Sequence, residues 1–95
     1  MVLKIIINDK YVKVFDKFPI SIGRRDDNDL VLIDMLVSRI HCVIYNDSDK
    51  MFIADMKSTN GTYVNKKKLD FPMLISTDDS IFIGETLLKI QDIEN

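Results

Sequence analysis

The sequence predicts an all-β sandwich, and two observations carry that prediction. Short runs rich in β-branched and aromatic residues recur along almost the whole chain, divided by clusters of Asn, Asp, Ser and Gly. That spacing is expected of a sandwich or barrel. The one stretch compatible with a helix, Leu69 to Ser76, carries Pro72 in its middle. An interior proline removes a helical hydrogen bond and collides with the preceding turn.

The elements follow in order. Val2 to Ile7 is a β-branched run ending in the turn cluster Asn8-Asp9-Lys10, and Tyr11, Val12, Val14 and Phe15 form the return strand. Phe18 to Ile22 is a short strand stopped by Gly23, and Leu30 to Ile33 is another. His41 to Tyr45 alternates, which sets His41, Val43 and Tyr45 on one face and Cys42 and Ile44 on the other. Asn46 to Asp49 is a turn, followed by a strand from Met51 to Ala54. Ser58 to Gly61 is a polar loop, Thr62 to Val64 a strand, and Asn65 to Lys68 a turn. Ile81 to Ile83 and Thr86 to Ile90 pair around Gly84-Glu85. These runs make about nine or ten strands, with function expected in the loops.

A chain of 95 residues suits one domain, spanning 1–95, with a single modest core. The net charge of −2 argues against a nucleic-acid binder that relies on a broad basic surface. No apolar run approaches the length of a membrane helix, and the N-terminus lacks the pattern of a secretory signal. The single cysteine, Cys42, has no internal partner for a disulfide and points to a reducing compartment. A cytosolic protein, or a cytosolic fragment of a longer one, is expected. Its alternation on a strand predicts that Cys42 is a small buried residue rather than a reactive thiol.

The basic residues are ten lysines and only three arginines, Arg24, Arg25 and Arg39, all in or beside two central loops. Arginine offers a planar fork of donors that matches phosphate and carboxylate. Three segments gather around them: Gly23-Arg24; Ser38-Arg39-Ile40-His41; and Ser58-Thr59-Asn60-Gly61-Thr62, with Val64-Asn65 just beyond. Hydroxyls and backbone amides donate, arginine adds charge, and glycine permits a tight turn, so these are the parts of an oxyanion site.

In order and spacing these motifs resemble the forkhead-associated (FHA) domain, from about Pro19 to Ile90. The resemblance implies a sandwich of about eleven strands whose loops at one end hold a phosphothreonine peptide. It implies that Arg24 contacts the phosphate or the adjoining peptide, that Ser38 donates to a phosphate oxygen, and that Thr59 completes the pocket. Arg39 adds a phosphate or peptide contact at a position that varies in the family. Asn60 is implied to bond the peptide backbone, while Gly23, His41, Gly61 and Asn65 hold the loops in shape. Asp78-Asp79 stands where the family often has Gly-Asp.

The same residues admit blander readings. Ser38 and His41 form a catalytic pair only on paper, with Asp34 or Asp55 as the acid to recruit. No nucleophile elbow surrounds Ser38 and no metal-ligand spacing includes His41, so neither catalysis, metal nor cofactor is expected. Asp26 to Asp29 lacks the glycine and distant glutamate of a calcium loop. Its acidity raises instead a preference for a basic residue in the peptide. Lys66-Lys67-Lys68 is expected as an exposed turn. The expected function is therefore phosphothreonine-dependent binding by a monomer in kinase signalling or assembly. The alternative is a phosphate-independent interaction or self-association domain.

Overall fold

Alternation in Val2–Ile7 becomes alternate burial. In β1 the side chains of Leu3, Ile5 and Ile7 enter the core while their neighbours stay half-exposed. A computed structural model describes all residues, Met1–Asn95. Its eleven strands are β1 Val2–Ile7, β2 Tyr11–Phe15, β3 Ile20–Gly23, β4 Leu30–Val31, β5 Cys42–Asp47, β6 Lys50–Asp55, β7 Thr62–Val64, β8 Lys67–Lys68, β9 Met73–Ile75, β10 Ser80–Ile83 and β11 Thr86–Glu94. One sheet runs β2-β1-β11-β10-β7-β8 and the other β4-β3-β5-β6-β9. Every pairing is antiparallel except β3 with β4.

One cluster of 19 buried residues joins the two sheets, led by fully buried Ile5, Ile20, Ile22, Ile44, Ile53, Ile81, Ile83 and Ile90. Burying each such side chain is worth about 1.5–3 kcal/mol. The hairpins close on residues that tolerate left-handed backbone. Ser48 and Asp49 (φ 49° and 66°) join β5 to β6, and Asn65 and Lys66 (φ 48° and 71°) join β7 to β8. Two consecutive positive φ values make the turn whose twist suits adjacent strands.

Several boundaries depart from the sequence reading, β11 among them, which runs on to Glu94. The strand expected from Phe18 begins at Ile20, after Pro19, which has no amide proton for the ladder. It also includes Gly23, paired with Val31. The run Leu30 to Ile33 keeps strand geometry only to Val31, and Ile33 turns outward into water. His41 does not share a face with Val43 and Tyr45: β5 begins at Cys42, and the His41 ring is buried. Lys67 and Lys68, expected within a turn, form the edge strand β8, since Asn65 and Lys66 complete the turn alone. Within Leu69 to Ser76, Leu69 to Pro72 is a loop leading into β9, with no helix.

Candidate functional site

At one end of the sandwich the segment Val37 to His41 runs beside the end of β3. The amide of Arg24 donates to the Ser38 carbonyl at 3.0 Å, that of Arg25 to Arg39 at 3.1 Å, and that of His41 to Ile22 at 2.8 Å. The Asn28 side-chain amide bridges the carbonyls of Arg25 and Arg39 at 2.7 and 2.8 Å. Only glycine fits at position 23, because a Cβ there would overlap the Arg39 carbonyl oxygen.

The β6–β7 loop is folded around Asp55. Its carboxylate accepts the Ser58 amide (3.0 Å), the Ser58 hydroxyl (2.5 Å) and the Thr62 hydroxyl (2.7 Å). Ser58 Oγ in turn accepts the Gly61 amide at 2.9 Å, and Gly61 itself has φ 87°. Partial burial pushes the Asp55 carboxyl up, but the bonds from Ser58 and Thr62 outweigh it and hold the group below the usual carboxylate range.

His41 joins the two loops. Nδ1 accepts the Ser38 amide at 3.0 Å, so it carries no proton, and Nε2 donates to the Gly61 carbonyl at 2.8 Å. The ring is therefore neutral and in a single tautomer. Neither nitrogen meets Ser38 Oγ, and Asp34 and Asp55 bond other groups, so no Ser-His-Asp relay is assembled.

Ser38 Oγ instead accepts the Thr59 amide at 3.0 Å, which leaves its own proton free to donate. The Thr59 hydroxyl has no partner within the protein. Asn60 donates from Nδ2 to the Leu36 carbonyl at 2.9 Å, keeping its carbonyl oxygen free. Arg24 is anchored by Nε on the Val37 carbonyl at 3.0 Å. The lone ion pair in the molecule is Arg25 with Asp27, at 2.6 Å and about half exposed, so Arg24 and Arg39 face no carboxylate.

Of the residues singled out from the sequence, Arg24, Ser38, Arg39, Thr59 and Asn60 thus meet at one end, with Gly23, His41 and Gly61 behind them. Asn65 lies elsewhere, accepting the Ser80 amide (3.0 Å) and donating to Asp79 (2.8 Å) at the start of β10. The acidic segment is mostly engaged internally. Asp27 pairs with Arg25, Asp29 accepts from the Ser21 amide and hydroxyl, and Asp26 alone bonds nothing. Sequence reasoning missed Asp34, Asp55, Ser58 and Asn28 as loop builders. The spacing from Asp55 to Ser58, in which a side chain caps a backbone amide a few residues on, was the available signal.

The family model described as FHA domain matches residues 20–84. The chain belongs to the FHA domain family. FHA domains are binding modules. Among curated relatives, the FHA domain-containing protein FhaB of Mycolicibacterium smegmatis is 32% identical over 77% of this chain and 47% of its own. The oxoglutarate dehydrogenase inhibitor of Corynebacterium jeikeium is 36% identical over 76% of this chain and 49% of its own. The chain therefore spans about half the length of the curated relatives it matches.

Two solved structures superpose closely. One FHA domain, from work on phosphothreonine-dependent FHA domain interactions, gives a TM-score of 0.89 at 26% identity and covers 100% of both chains. Mycobacterium tuberculosis EmbR, in complex with a low-affinity phosphopeptide, gives 0.91 at 26% identity over 99% of this chain and 25% of that one.

Proposed function

We propose that the Arg24–Ser38–Thr59 end of this FHA domain binds phosphothreonine in a partner protein, serving Ser/Thr-kinase signalling or assembly without catalysing a reaction. One observation carries the reading. Ser38 Oγ accepts the Thr59 amide, which leaves its proton free for a guest, and Arg24, anchored nearby on the Val37 carbonyl, has no carboxylate partner. A phosphothreonine brings a charge of about −1.5 to −2 and strong acceptor oxygens.

In this reading Ser38 and Thr59 donate hydroxyl protons to the phosphate. Arg24 and Arg39 supply charge, and Asn60 holds the peptide backbone through its free carbonyl oxygen. The net charge of −2 gives no long-range attraction for an anion, so affinity comes from these local bonds, about 1.5–3 kcal/mol each. The chain acts as one unit over 1–95, a monomer in a reducing, cytosolic setting. Support for that setting comes from Cys42, whose buried thiol is pushed well above its usual range by desolvation and has no disulfide partner.

Fluorescence anisotropy with a phosphothreonine peptide and its unphosphorylated twin tests the proposal. Phosphate-dependent binding near the micromolar range, about 8 kcal/mol, is expected, with the phosphoserine analogue weaker. Equal binding of the unphosphorylated twin overturns it.

A further inference from the structure

Beside the phosphate-binding end, large apolar side chains stand in water. Ile33 is 97% exposed and Met35 85%. They flank Asp34, whose carboxylate pins this loop by accepting from the Leu36 and Glu85 amides and the Thr86 hydroxyl. The exposed side chains are thus carried on a braced loop.

Next to this loop the edges of the two sheets lie side by side. β2 pairs only with β1, and β4 only with β3, so each presents a row of unpaired backbone groups. Between them lies a groove of about 610 Å³, with Tyr11, Val12, Val31 and Ile33 in its lining. Its charged groups are Lys10 and Lys13, with no carboxylate. The groove shares Asn8, Ile33 and Thr86 with the depression around Met35 and Leu36. The Leu36 carbonyl is the one held by Asn60. The groove itself is mainly apolar, and a mixed depression that also carries Asp34 and Glu85 joins it to the loops; at its far side lies the β2 edge, where an extended peptide can add as a strand.

We infer that this groove docks a second, extended segment of the same phosphoprotein, which pairs with the edge of β2. The inference rests on the phosphothreonine reading above. The β1–β2 register sets Tyr11 and Lys13 opposite Ile7 and Ile5, on the core side of the sheet. An added strand then lays an apolar side chain against Tyr11 and an acidic one against Lys13, two residues apart. Two ammoniums without a carboxylate, in a chain of net charge −2, favour that acid. The longest dimension of the domain is 33 Å, which about ten extended residues span. The docking segment lies within that distance of the mark. Joining the two contacts in one chain raises affinity through effective concentration.

Calorimetry with three probes tests this. The first is a short peptide of phosphothreonine with three alanines on each side. The others extend it by ten residues of repeated Val-Thr-Glu-Thr, on the N-terminal or the C-terminal side. One extended probe is expected to bind at least tenfold tighter than the short one. Ile33→Asp and Lys13→Glu, both at exposed positions, should remove that gain and leave the short probe unaffected. The proposal is overturned if neither extension adds affinity, or if the gain survives both substitutions. It is equally overturned if light scattering shows a concentration-dependent dimer that Lys13→Glu dissolves, since a second copy then occupies the edge. Failure of the short probe to bind in a phosphate-dependent way overturns the phosphothreonine reading instead.

Discussion

The Ser38 amide donates to Nδ1 of His41 at 3.0 Å, and the same ring donates from Nε2 to the carbonyl of Gly61 at 2.8 Å. One buried side chain thus sets the distance between the loop that presents Ser38 and the loop that presents Thr59 and Asn60. His41→Ala leaves both backbone groups without a partner, at about 1–3 kcal/mol each. The expected result is a loss of about 2–5 kcal/mol in urea unfolding, together with weaker phosphopeptide binding.

Ser38→Ala removes the hydroxyl proposed to donate to the phosphate, and from the protein it removes only an exposed acceptor of the Thr59 amide. Arg24→Ala removes a guanidinium that no carboxylate neutralises. Each is expected to weaken phosphothreonine-peptide binding by about 1.5–3 kcal/mol, roughly ten- to a hundredfold, in an anisotropy titration. The thermal midpoint of Ser38→Ala should move little.

Gly23→Ala places a methyl group against the Arg39 carbonyl oxygen, a backbone atom that cannot step aside alone. The segment carrying Ser38 and Arg39 must shift, so affinity for the phosphopeptide and thermal stability should fall together. A binding constant unchanged from wild type would show that this contact does not position the loop.

Acid should loosen the site through Asp34 and Asp55. Asp34 is held below its usual range chiefly by the Leu36 amide, and Asp55 by bonds from Ser58 and Thr62 that overcome partial burial. A carboxyl whose folded pKa is depressed stabilises the fold above its unfolded value, about 3.9. That contribution is lost as pH falls through the folded value. Asp55→Asn should therefore lower the thermal midpoint at pH 7 and flatten its decline below about pH 4. Peptide affinity should decline earlier, below about pH 6, where the phosphate gains its second proton.

Asp78 occupies φ 76° in the turn before β10, a conformation glycine adopts without steric cost. Its amide bonds the Ile90 carbonyl, an interaction glycine keeps. Asp78→Gly should raise stability by up to about 1 kcal/mol by chemical denaturation. The phosphopeptide constant should not change, since the turn lies at the end of β10 away from the loops.

The alternation in Val2–Ile7 and the turn residues at Asn8, Ser48 and Asn65 determined strands and hairpins by themselves, because pleat and turn chemistry are local. The order of the Gly-Arg, Ser-Arg-x-His and Ser-x-Asn-Gly-Thr motifs was enough to name the loops. Which donors remain for a guest was decided only in three dimensions. Ser58 and Thr59 are adjacent hydroxyls of similar chemistry, yet Asp55 engages the first and leaves the second free. Arg24 and Arg25 are adjacent guanidiniums, and only Arg25 meets an acid. His41 reads as a strand residue until its ring is seen between two loops twenty positions apart. A hydrogen-bonding group has few partners to give, and which ones it gives depends on neighbours brought close by the packing of the two sheets.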